Sequence, residues 1–339
     1  MNRECGHIKS ILLLGDDKLH YDISVVIPTY KRNESLIHLV TAICEQQCDG
    51  FEFNIVITDN SDIYTTQLVE QLGIISKQYN KNILYYKNEQ NIGMYPNWNR
   101  VIELANCDYA LMIHSDDLII EGCLQYMHDS LSQLPDKCAL MVDIHWLGFN
   151  DYNSSFVEER CRLTKMQKRL LKILQYDGHS IHKVVAMDII CNNVQIAPPC
   201  LMISKKLFCE TGGWHEYIEG WPGDREFLLN LATMGCLYSS DYKFAVKRQR
   251  NTSITPPLPP VVSIPYIFVQ NCMLEKYINF FMKPMARYII HYKSMQLGKI
   301  WGLDDNQLRY LSNSLVLSPR NDKIYNQLRK LFKLFYMLR

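Results

Sequence analysis

Apolar residues in the first third of the chain come in two rhythms. Short, nearly continuous runs alternate with longer stretches in which apolar side chains recur every three or four positions. The run Ile23 to Ile27 in DISVVIPTYKR, stopped by Pro28, predicts a strand covered by helices on both faces. NESLIHLVTAICEQQ follows, with Leu36, Val40 and Ile43 at helical spacing and Asn33 placed to cap it. FNIVITDNSD predicts a second strand, TTQLVEQLGIISKQY a helix and NILYYKN a third strand. PNWNRVIELANC then predicts a helix with Pro96 in its first turn, and YALMI a fourth strand. This alternation, repeating about every 25–35 residues, is that of βαβ units: a doubly wound, mostly parallel sheet flanked by helices.

The pattern weakens from Asp143 to Lys183, where RLTKMQKRLLKILQ reads as a basic helix. VQIAPPCLMIS is strand-like, and GGWHEYIEGWPGDREFLLNLATMG is a loop leading into a helix. TPPLPPVVSIP is stiff and proline-rich, the composition of a linker. The expected organisation is an N-terminal extension over 1–21, an α/β domain over 22–254 and a linker over 255–265. A mainly helical C-terminal region over 266–339 completes it. No internal repeat is visible.

Composition narrows the function classes. Among 339 residues, 36 basic and 35 acidic side chains nearly cancel, which argues against a nucleic-acid partner held by bulk charge. Twelve cysteines are scattered rather than set in metal-binding pairs, and ILLL is too short for the apolar core of a leader. Free thiols in a reducing cytoplasm are therefore expected. The best membrane-span candidate, VVSIPYIFVQNCMLEKYINFFM, is broken by Pro265, Glu275 and Lys276.

In a parallel sheet, ligands sit outside the carboxyl ends of the strands. Tyr30 follows the first strand, Asp59 ends the second, and Asp116 and Asp117 follow the fourth, so their polar tips share one rim. Two adjacent acids there fit a divalent cation, which takes hard oxygen ligands and substrate phosphates. The plainer reading is a helix cap for LIIEGCLQYMHDSL.

The motifs VVIPTYKR, VITDNSD, NEQNIGMYPNWNRVIELA and LMIHSDD, in this order and spacing, resemble the nucleotide-binding half of an inverting family 2 glycosyltransferase of GT-A fold. The resemblance is specific from Asp22 to Asp117 and looser through CETGGWHEYIEGWPGDREFLLNLATMG and VKRQRNTSIT. It divides the α/β domain into a nucleotide-binding half (22–117) and an acceptor half (118–254). It implies that Pro28 and Tyr30 line the base pocket and that Asp59 accepts from the base. Asn91, Gly93 and Asn99 would shape the donor side, Asp116 would hold the ribose, and Asp117 would hold Mn²⁺ or Mg²⁺. Asp224 would be the general base, with Glu226 second; the plainer alternative for Asp224 is a cap of its own helix. Gly213 and Trp214 would border the donor sugar and acceptor, Trp214 and Trp221 as candidate sugar platforms. Arg248 and Arg250 would clamp the diphosphate.

The chain departs from the family pattern in three places. His114 takes the first position of DxDD, Trp98 stands where many members have Arg, and arginines replace the late His. The expected activity is sugar transfer from a UDP- or dTDP-sugar to a glycan acceptor, of the lipid-diphosphate-linked kind used for O-antigen or capsule. A non-catalytic nucleotide-sugar-binding partner subunit is the alternative that the departures favour and that Asp117 and Asp224 oppose. A sugar-1-phosphate nucleotidyltransferase needs a glycine-rich loop after the first strand, and PTYKRNES has no glycine. Residues 323–339 could form a basic amphipathic helix that lies on the inner face of the cytoplasmic membrane or docks on protein.

Overall fold

The computed structural model describes residues 6–62, 66–147, 181–191, 200–216 and 222–248, with Asp304 and Asn306. In chain order these form β1 (Ser10–Leu14), β2 (Tyr21–Thr29), α1 (Asn33–Cys44), β3 (Phe53–Asp59), α2 (Thr66–Tyr79), β4 (Ile83–Asn88), α3 (Met94–Leu104) and β5 (Cys107–Met112). Then come β6 (Asp117–Ile119), α4 (Cys123–Leu131), β7 (Ala139–Leu147), β8 (His182–Lys183), α5 (Ala186–Cys191), β9 (Leu201–Ser204), α6 (Lys205–Thr211), α7 (Pro222–Thr233) and β10 (Leu237–Arg248). The described strands lie in one sheet of order β1-β4-β3-β2-β5-β9-β7-β10-β6, with β8 beside β10. They belong to one compact unit (1–147, 179–184, 195–248), while α5 belongs to a second (148–178, 185–194, 249–339). The linker over 255–265, Trp221, Arg250 and the basic stretch over 323–339 lie outside the described residues.

The parallel half is β4-β3-β2-β5, the four strands that the apolar runs predict. Side chains alternate across it. Ile23, Val25 and Ile27 of β2 join Ile55 and Ile57 of β3 in a core with Leu36, Leu39, Val40 and Ile43 of α1, Leu68 and Leu72 of α2, and Leu124 and Met127 of α4. Val26 and Val56, on the opposite face, are equally buried, and α3 packs on β2 and β3. Lys205 ties α6 to α3: its ammonium donates to the carbonyls of Ile102, Glu103 and Ala105 at the end of α3, and burial pushes its pKa down.

Four details differ from the sequence reading. The sheet is mixed beyond β5, because β9 runs antiparallel to both β5 and β7. Residues ahead of Tyr21, which the motifs leave unplaced, contribute β1, paired antiparallel with β4. Pro28 lies inside β2 rather than stopping it. The Ile113 N–H donates to the Val26 carbonyl, so even-numbered residues of β2 turn toward β5. Since β5 ends at Met112, opposite Val26, the missing N–H of Pro28 breaks no ladder bond. Finally, Asn33 is the first residue of α1, not its cap; Arg32 holds the cap position and makes no side-chain cap bond.

Among the described residues, no helix is long and apolar enough to cross a membrane.

Candidate active site

The carboxyl ends of β2, β3 and β5 share one rim because the three strands are parallel and adjacent. After β5 the chain turns at His114–Asp117, closed by the Asp117 N–H donating to the His114 carbonyl at 3.0 Å. Asp117 then opens β6, which pairs with β10. Helix α4 begins only at Cys123, with Gly122 as its cap residue at φ 79°. The acid doublet therefore caps no helix, and the plainer reading of it falls away.

The turn gathers charge. Asp116 Oδ2 lies 3.0 Å from Arg32 Nη1. His114 Nδ1 lies 3.7 Å from Asp117 Oδ2, and Asp117 is almost wholly buried. His114, Asp116 and Asp117 each offer one ligand atom, all within 4.8 Å of one another. One imidazole and two carboxylates form a donor set that suits a divalent cation. Lys247 pairs with Asp117 across β6 and β10, so the backbone of Arg248 ends beside this turn.

Arg32 is aimed by the loop after β2. Lys31 adopts φ 54°, unusual for a residue with a side chain, and its N–H donates to Ser61 Oγ at 2.8 Å. Ser61 in turn donates from its hydroxyl (2.6 Å) and its N–H (2.8 Å) to Asp59 Oδ1. The Tyr85 hydroxyl donates to Asp59 Oδ2 at 2.6 Å. Asp59 is thus buried and knits β3, β4 and the β2–α1 loop together. Tyr30 stands exposed on the rim with Lys31 Nζ 4.9 Å from its ring centre, and Lys31 pairs with Asp62 at 2.6 Å.

The turn before α3 is built by asparagines. Asn91, exposed, accepts from the Gly93 N–H at 2.9 Å, and Gly93 takes φ 90°, which favours glycine. Asn60 donates to the Gly93 carbonyl at 2.8 Å and accepts from Asn88 at 2.8 Å, while Asn88 also donates to Asn97 at 2.9 Å. The Asn60 side chain closes this network.

Asn99 is fully buried. Its amide donates to the Trp214 carbonyl (2.8 Å) and to Glu216 (3.3 Å), and its carbonyl accepts from the Trp214 N–H at 2.9 Å. It braces α3 against the Gly213–Trp214 loop. Trp214 is itself buried, stacked on Phe227 with centroids 4.0 Å apart and edge-on to Trp98 at 5.5 Å. The platform role weighed for Trp214 does not suit a ring at 1% exposure.

Asp224 is the third residue of α7, in its first turn and not at the cap position. It is half-buried beside Tyr95, whose phenol is held well above its ordinary pKa range by burial and by the neighbouring Asp224 carboxylate. Gly223 allows this approach, since a Cβ there would overlap the Tyr95 ring. Gly223→Ala is therefore expected to destabilise the fold by about 1–3 kcal/mol. Urea unfolding measures this, and an unchanged midpoint would mean that the Tyr95 ring moves aside freely. Glu226 is buried, with His215 Nδ1 2.7 Å from its Oε2. Arg32, Ser61, Tyr95 and His215, which lie within the motifs but carry no role there, and Tyr85, which lies outside them, adjoin this site.

Residues 24–182 match the family described as Glycosyl transferase family 2. The chain carries a family 2 glycosyltransferase domain. Over 114 residues it is 32% identical to the abequosyltransferase RfbV of Salmonella typhimurium, covering 34% of each chain. Over 138 residues it is 24% identical to the uncharacterized glycosyltransferase MJ1057 of Methanocaldococcus jannaschii, covering 40% of this chain and 45% of that protein. The matched stretches thus span less than half of these relatives. Among solved structures, TarS 1–349 of S. aureus in complex with UDP-GlcNAc superposes with a TM-score of 0.61 at 15% identity, covering 87% of this chain and 80% of that one. The mannosyltransferase PcManGT of Pyrobaculum calidifontis, in complex with GDP-Man and Mn²⁺, gives 0.51 at 12% identity, covering 95% of this chain and 87% of that one. The fold is thus the GT-A-like α/β fold of these enzymes. The family match ends before Asp224.

Proposed function

We propose that the protein is a metal-dependent, inverting glycosyltransferase that moves a sugar from a UDP- or dTDP-sugar to a hydroxyl of a glycan acceptor. One observation carries the reading furthest: the His114–Asp117 turn stands at the carboxyl end of β5, caps no helix and gathers three side chains whose donor atoms suit a divalent cation. The names of RfbV and TarS, an abequosyltransferase and a UDP-GlcNAc-bound structure, support the nucleotide-sugar part. The acceptor, of the lipid-diphosphate-linked O-antigen or capsule class, is carried over from the motif resemblance alone. Such an acceptor would suit a protein working at the inner face of the cytoplasmic membrane.

In this reading Tyr30 and Pro28 border the base and Asp116, steadied by Arg32, takes the ribose hydroxyls. Asp117 would hold Mn²⁺ or Mg²⁺, a cation that would supply charge neutralisation for the departing diphosphate. Arg248 and Arg250 add donors to the same group. Asp224 accepts the proton of the acceptor hydroxyl as its oxygen bonds to the anomeric carbon on the face opposite the leaving group, which inverts that centre. Asp224, less buried than Glu226, suits this part better than that residue, which is buried against His215.

Calorimetric titration with UDP and with dTDP, in Mn²⁺ and in EDTA, tests the donor site. One nucleotide should bind in a metal-dependent way, and Asp117→Ala should weaken it by about tenfold or more. Absence of binding by either nucleotide to folded protein would overturn the reading.

A further inference from the structure

Two of the departures from the family pattern touch each other. The Trp98 ring lies on the His114 ring, with centroids 4.6 Å apart and planes 34° apart. Trp98 is held from its other sides by Tyr95, edge-on at 5.1 Å, and by Trp214. His114 is therefore wedged between a buried aromatic cluster and Asp117, with Nδ1 3.7 Å from Asp117 Oδ2. We infer that His114 is a nitrogen ligand of the divalent-cation site and tunes that site toward transition metals such as Mn²⁺ and away from Mg²⁺. This rests on the cation site proposed above and names its selectivity.

The argument is one of donor chemistry. Mg²⁺ demands a near-ideal oxygen octahedron and sheds water reluctantly; imidazole suits the later first-row metals best, and Mn²⁺, although it also favours oxygen, tolerates a nitrogen ligand better than the stricter Mg²⁺. Replacing a carboxylate by imidazole removes one negative charge and one hard oxygen, so both attractions for Mg²⁺ fall together. The residue at position 98 works in the same direction. An arginine there would set a guanidinium against the ring that must accept a cation, while tryptophan sets a neutral face there and restricts ring rotation. Orientation of a ligating histidine by its neighbours is part of metal affinity. Here Trp98 supplies that orientation by packing.

The experiment measures Mn²⁺ binding to the full chain by the electron paramagnetic resonance signal of free Mn²⁺, with Mg²⁺ as competitor, with and without UDP. It compares wild type, His114→Asp, His114→Ala and Asp117→Ala. His114→Asp should bind both ions but lower the Mn²⁺-over-Mg²⁺ preference by about tenfold, and His114→Ala should weaken Mn²⁺ by about tenfold. If Asp117→Ala loses Mn²⁺ while both His114 variants keep the wild-type preference, the inference fails and the proposed site stands. If wild type binds no Mn²⁺, or Asp117→Ala binds it unchanged, the site reading fails and takes the inference with it. Circular dichroism separates either result from misfolding, and the aspartate variant guards against collapse of the alanine one.

Discussion

Asp224→Asn is expected to slow sugar transfer by about 10²–10⁴-fold, the usual worth of a positioned general base, while nucleotide binding stays unchanged. Asparagine keeps the shape and hydrogen-bonding reach of the side chain but cannot take a proton at neutral pH. The setting makes the test clean. Asp224 lies in the first turn of α7, where the helix N-terminus favours negative charge, and Gly223 and Tyr95 hold the turn in place. The readout is turnover of the nucleotide-sugar donor that calorimetry identifies, alongside nucleotide affinity of the same variant. A rate near wild type would move the base elsewhere. Glu226→Gln provides the contrast: Glu226 is buried against His215, so that variant should lose stability before it loses a selective catalytic step. The comparison also addresses the partner-subunit alternative, because a non-catalytic subunit would show no transfer for either variant to lose.

The parts of the fold that could be read from sequence are those where one local signal decides. β2, β3 and β5 are nearly continuous apolar runs because helices or loops cover both faces, and α1 and α3 carry stripes at helical spacing. Elements decided by partners far along the chain were not legible. β6 is three residues long and exists through pairing with β10, and β1 is an edge strand that reads only as a short apolar run. The cap expected at Asn33 failed because Arg32 occupies that position and turns its side chain to Asp116 instead. The same holds for the site. Position in the motif shows that Arg32 follows Tyr30 by two residues, but only the β2–α1 loop, with Lys31 in a left-handed conformation tied to Ser61, reveals its partner. His114 and Trp98 read separately as losses from a pattern; folded, they form one contact beside the acid doublet.

Trp214 marks the boundary between core and site, and Trp214→Ala is expected to destabilise the fold by about 3–5 kcal/mol, the usual cost of removing a buried aromatic ring. At 1% exposure, the indole stacks on Phe227, meets Trp98 edge-on and lies near Phe208, so its loss would open a cavity between α3, α6 and α7. Asn99 bonds the backbone of the same residue and would remain after the substitution, so the loop would stay tethered while its packing failed. Denaturant unfolding should show a lower midpoint with an unchanged slope. Trp214→Phe should cost less, because it keeps most of the ring and removes an indole N–H that has no acceptor among the described residues. Loss of acceptor affinity at wild-type stability would reverse this assignment and make the ring a sugar platform. The expected order couples stability to chemistry: Trp214 buttresses Trp98, Trp98 covers His114, and His114 adjoins Asp117. Trp214→Ala should therefore also loosen Mn²⁺ binding, even though the ring touches no ligand atom, whereas a tryptophan serving only the acceptor would leave Mn²⁺ affinity unchanged.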